Sequence, residues 1–104
     1  MLYHCSVNVT YTYLNEKEEY SDGLAMYVIS DNSSIQLSRQ LSEKANNRCS
    51  LVDFSFYINK DLIIKEEITD SYYLCKQREY NEQREIITTT EIVIEEVSEQ
   101  LLFM

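Results

Sequence analysis

The chain has 104 residues, with 18 acidic against 9 basic and a formal net charge of −9. That length predicts one domain, residues 1–104, and 44% hydrophobic with 26% charged residues makes it globular rather than disordered. The acidity disfavours direct binding to nucleic acid or to an anionic membrane, which both rest on Lys and Arg, and favours a basic protein partner.

Residues 3–13 alternate cleanly. Tyr3, Cys5, Val7, Val9, Tyr11 and Tyr13 fall on one side; His4, Ser6, Asn8, Thr10 and Thr12 fall on the other. This predicts a long strand with one buried face, central in an antiparallel sheet. A charged loop, residues 15–23, follows and ends in Asp22-Gly23, a turn signal containing the chain's single glycine. Residues 24–29 are short and apolar and predict a second strand paired back on the first.

Ser33 and Gln36 stand at capping-box spacing. Leu37, Leu41 and Ala45 then recur every four residues, which predicts an amphipathic helix stopping at Asn46-Asn47. Residues 50–58 alternate again and predict a third strand. Asn59-Lys60-Asp61 predicts a tight turn into a fourth strand at Leu62. Residues 65–80 are mixed: Ile68, Tyr72 and Leu74 fit a strand face, Asp70 and the polar stretch after it fit a helix, and of the two one long strand turning near 80–83 is expected. The run from Ile86 to Val97, with three isoleucines and Thr88-Thr89-Thr90, predicts the last strand. The expected fold is therefore α+β, in the order β-β-α-β-β-β, with one helix packed on a face of an antiparallel sheet of about five strands. The tail, Leu101-Leu102-Phe103-Met104, is apolar and is expected to tuck against the core or a partner.

Compartment follows from absences. No apolar run is long enough to cross a bilayer, and the start, Met1-Leu2-Tyr3-His4-Cys5, lacks a signal peptide's basic and apolar segments. Cys5, Cys49 and Cys75 are widely spaced without a CxxC pair, so they read as small core filler in the cytoplasm.

No motif carries a reaction. His4, the sole histidine, has no Cys or carboxylate at ligand spacing, so neither a metal nor another cofactor is expected. His4 and Cys5 point to opposite faces, which argues against a Cys–His nucleophile. The carboxylate groups Glu16/Glu18/Glu19, Glu66/Glu67/Asp70 and Glu91/Glu95/Glu96 follow no calcium-loop pattern. With one glycine in the chain, a phosphate-cradling loop is also missing.

The charge is uneven. Residues 1–52 hold 6 acids and 4 bases, whereas residues 53–104 hold 12 acids and 5 bases, the last of them Arg84. Carboxylates two residues apart on a strand lie about 6.6–6.8 Å apart, so a row of them can stand in for a nucleic-acid backbone. The expected contact surface is Glu91, Glu95, Glu96 and Glu99 with Glu66, Glu67, Glu82 and Glu85. Nine tyrosines add rings suited to binding surfaces. In size and charge, and in nothing more specific, the chain is similar to phage-encoded anti-CRISPR and anti-restriction proteins and to immunity proteins that neutralise nuclease toxins. The function expected is a non-enzymatic inhibitor that occupies a basic surface, such as that of a nucleic-acid-binding enzyme. A structural or assembly subunit forming a homodimer through an edge strand or the apolar tail is the alternative.

Overall fold

The computed structural model describes residues 1–29, 36, 40, 43, 46–51 and 54–100. The elements are β1 (Leu2–Tyr13), β2 (Glu18–Ile29), β3 (Asn47–Leu51), β4 (Phe54–Ile58), a 3-10 turn (Lys60–Leu62), β5 (Ile63–Ile68), β6 (Tyr72–Tyr80) and β7 (Ile86–Val97). Five strands form an antiparallel sheet in the order β2-β1-β7-β6-β5, and β3 and β4 form a separate two-stranded sheet.

The α+β expectation is corrected: among the described residues the chain is mostly β, with a single 3-10 turn and no α-helical element. Most of the predicted helix lies outside the described residues. Of that stretch only Gln36, Gln40 and Glu43 are described, with helical backbone and exposed side chains. The tail 101–104 also lies outside them.

β1 is central, as its alternation predicted. It pairs along its whole length with β2 on one side and β7 on the other, Tyr3 opposite Val28 and Glu96, and Val7 opposite Leu24 and Ile92. Tyr3, Cys5, Val28, Tyr73, Cys75, Ile92 and Ile94 share the core face, and Ile58 of β4 packs onto it. Leu2 and Leu74, on the opposite face, are also buried. Both faces are therefore covered at the end of the sheet where β1 begins.

Three connections differ from expectation. Residues 14–17, not Asp22-Gly23, turn β1 into β2, with Lys17 in the left-handed region at φ 54°. Gly23 instead sits within β2 opposite Asn8, whose side-chain oxygen occupies the space a Cβ would need. The charged run belongs to an edge strand, where one row of backbone groups and both rims are wet, so carboxylates are tolerated. The predicted third strand is two strands, β3 and β4, with Leu51 paired to Phe54, because alternation runs unbroken across residues 50–58 and gives no sign of a reversal. The predicted long strand over 65–80 is also a hairpin. Thr69, Asp70 and Ser71 turn it, and the Thr69 N–H donates to the Tyr72 carbonyl at 2.8 Å.

The two sheets are fastened by one side chain. Gln77, 6% exposed on the core face of β6, donates from Nε2 to the Tyr57 carbonyl at 3.1 Å and accepts from the Asn59 N–H at 2.8 Å. Its carboxamide thus satisfies the backbone where β4 ends. Asn59 then caps the 3-10 turn, its side chain accepting from the Asp61 N–H at 3.0 Å. Replacing Gln77 by Leu leaves the part-buried Asn59 N–H and Tyr57 C=O without this partner. The expected cost is about 1–3 kcal/mol, read as a lower urea midpoint at unchanged slope.

Candidate partner-binding surface

The register separates the glutamates singled out from the sequence. Glu66 and Glu96 lie on the core face, Glu66 opposite Cys75 and Glu96 opposite Tyr3. Glu67, Glu91 and Glu95 lie on the other face, opposite Leu74, Lys76 and Tyr72. Several have local partners. Glu67 pairs with Lys65 at 3.3 Å, and Glu99 pairs with the Met1 ammonium at 3.4 Å. Glu91 lines a shallow polar groove with Asn8, Thr10, Thr89, Lys76 and Arg78, so that face is mixed in sign. The eight residues do not share one surface.

Glu82 and Glu85 belong to a different grouping. They sit in the turn between β6 and β7, which Asn81 organises. Its side-chain oxygen accepts from the Glu85 and Ile86 N–H groups at 2.8 and 3.0 Å, while Arg84 takes the left-handed conformation at φ 56°. The Leu14 N–H donates to the Glu85 carbonyl at 2.9 Å, tying this turn to the one between β1 and β2. The tie brings Glu16, Glu18 and Glu19 to the same end of the sheet as Glu79, Glu82 and Glu85, all exposed. Lys17, Arg78 and Arg84 are the bases near that end. We call it the acidic pole.

Exposed Leu14, Tyr11, Tyr20 and Tyr80 stand among these carboxylates. Tyr20 is 55% exposed, packs edge-on against Tyr13 with ring centroids 5.5 Å apart, and donates its hydroxyl to Glu18. That hydrogen bond, with a lesser contribution from the Glu16 charge, raises the Tyr20 phenol above its ordinary value. The Arg84 guanidinium lies 5.9 Å above the Tyr80 ring. Aromatic surface set among charges is the composition of binding hot spots. The sequence signal for the pole was present in Glu16, Glu18, Glu19 and Tyr20; what it lacked was the tie that joins two distant turns.

Beside the pole, between the core face and β4, runs a cleft of about 510 Å³. Val7, Val9, Thr88 and Thr90 form its floor, Tyr57 and Leu62 a wall, and Glu79 its one charged lining residue among the described residues. His4 lies on the far face, edge-on to Tyr27 with centroids 5.1 Å apart. Among the described residues no three His, Cys, Asp or Glu side chains gather as metal ligands. Compared with family models, curated proteins and solved structures, the chain matches none.

Cys5 is fully buried, and burial pushes its thiol up from 9.0 to about 11. A raised thiol pKa means the unfolded chain loses its proton first. The stability carried by the neutral thiol is therefore present below pH 9 and lost as pH rises toward 11. The urea-derived stability of the native chain is expected to fall by about 2 kcal/mol more than that of Cys5→Ala across this window. The folded thiol is also expected to resist thiol reagents at pH 8 until denaturant is added.

Proposed function

We propose that this chain is a small, non-enzymatic, acidic binding protein that occupies a basic, nucleic-acid-binding surface of a partner protein, of the phage anti-defence or toxin-immunity kind. The acidic pole is the contact surface, and Glu82 and Glu85 are carried over from the sequence reading. The observation that carries the reading is the Leu14–Glu85 backbone bond. It holds two acidic turns at one end of a rigid sheet, with exposed Tyr11, Tyr20 and Tyr80 among them. Turns held in this way need no backbone ordering when a basic surface arrives, and the field of their carboxylates serves encounter and orientation. The rings supply apolar contact at little entropic cost. Action in the cytoplasm is supported by Cys5 and Cys75, buried thiols outside any disulfide.

The test is affinity capture from a nuclease-treated bacterial lysate, with Glu16, Glu18, Glu82 and Glu85 reversed to Lys in one variant. A single stoichiometric basic protein is expected, lost at high salt and lost with the reversed pole. It is expected to be retained when Glu66 and Glu95 are reversed instead. Equal capture by the reversed-pole variant would remove the pole from the contact.

A second reading, an assembly subunit, is favoured by the β2 edge. Leu24, Tyr27 and Ile29 are 57%, 60% and 66% exposed on a strand with no partner beyond it among the described residues. Residues 24–29 carry no charge, and such an edge invites antiparallel pairing with a second copy. On this reading, sedimentation equilibrium at micromolar concentration shows a dimer that Tyr27→Lys dissociates. A monomer for both chains would dismiss it.

A further inference from the structure

The cleft beside the pole is built for a particular kind of occupant. Its floor is β-branched, from Val7, Val9, Thr88 and Thr90, and Tyr57 stands as a half-exposed wall. Gln77 also borders it, but its carboxamide already donates to Tyr57 and accepts from Asn59, so it is held in place as structure. That leaves Glu79 as the one charge on the lining among the described residues. It stands on the same face of β6 as Gln77, two residues further toward the pole, and has no ion-pair partner among the described residues.

An anion entering here would meet Glu79 and the field of the pole. A purely apolar group would strip water from the Glu79 carboxylate and give nothing in return. A long aliphatic stem ending in a cation satisfies both parts of the lining, because Lys and Arg lay their methylenes along apolar surface while the head stays on a carboxylate. We infer that the cleft receives a lysine or arginine side chain of the basic partner, its stem on Val7, Val9, Thr88 and Thr90 and its head on Glu79. The inference rests on the acidic-pole reading for the nature of the partner. It adds a pocket that converts general charge attraction into one seated contact.

The probe is Nα-acetyl-L-argininamide, titrated into the isotope-labelled chain while backbone amide shifts are followed by NMR, with neutral Nα-acetyl-L-glutaminamide as the control. Saturating shifts are expected at Val9, Gln77, Glu79, Thr88 and Thr90 with the arginine probe and not with the glutamine one. Glu79→Gln, an exposed and isosteric change, is expected to weaken binding about tenfold, the scale of one charge-assisted hydrogen bond. Glu66→Gln with Glu95→Gln is expected to leave it within about twofold, since those groups lie outside both the cleft and the pole. Shifts confined to residues 14–19 and 81–85 would overturn the seated contact while leaving the pole as the docking surface. Shifts at the cleft unchanged in Glu79→Gln would overturn it as well, as would no response at any amide; the capture experiment judges the pole separately.

Discussion

One carboxamide decides how the two sheets meet. β4 ends against the core face of the main sheet, where its last backbone groups are part-buried. An unpaired buried N–H or C=O costs roughly 1–3 kcal/mol, so even partial burial favours partners for the Tyr57 C=O and the Asn59 N–H. Gln77 provides both from a single side chain, with one donor and one acceptor in the geometry of a peptide group. Ile58, between them in sequence, is thereby seated among Tyr3, Tyr73 and Ile92. Because the fastening stands partway along β6, the small sheet covers only part of the core face. The remainder, over Val7, Val9, Thr88 and Thr90, is left as the cleft.

The main sheet was legible where a strand has two clearly different sides. β1 and β7 alternate without interruption, and their observed bounds, Leu2–Tyr13 and Ile86–Val97, match the reading closely. Elsewhere the local signals misled for identifiable reasons. Asp22-Gly23 is a strong turn dipeptide, but the glycine serves a close approach by Asn8 rather than a reversal. Tyr73, Leu74 and Cys75 are consecutive and all buried, because both faces are covered at that point, so no period-2 pattern was available. The strands of 63–80 turn at Thr69-Asp70-Ser71, a short polar stretch inside a run already rich in charge, so it did not stand out as a reversal. The α+β class followed from counting each hairpin as one strand and giving the helix a packing role.

Charge was legible as an amount and much less as a place. Along β7, Glu91, Glu95 and Glu96 read as a row, yet register sends Glu96 to the face opposite Glu91 and Glu95, and sets Lys76 across from Glu91. The carboxylates that gather do so through a long-range backbone bond between residues 14 and 85, which no window of sequence contains. The same end carries the exposed tyrosines, and Tyr11, Tyr20 and Glu79 lie on the face that opens onto the cleft, whereas Tyr80 and Glu19 lie on the other. Recognition of a basic partner would use field, aromatic surface and cleft in that order, from long range to contact.

The hold of β4 on β6 through Gln77 seats Ile58 in the core and leaves the cleft beside it, and amide hydrogen exchange at Asn59 reads that hold directly. Asn59 precedes a short 3-10 turn on the surface, where an amide without a fixed acceptor exchanges like a loop. If the Gln77 carbonyl accepts its proton, the Asn59 amide exchanges as slowly as the β6–β7 ladder amides of Cys75 and Ile92, and opens only with the sheet. Exchange at the rate of the exposed 81–85 turn would contradict it, and would mean that the small sheet lies on the core face without being fastened to it.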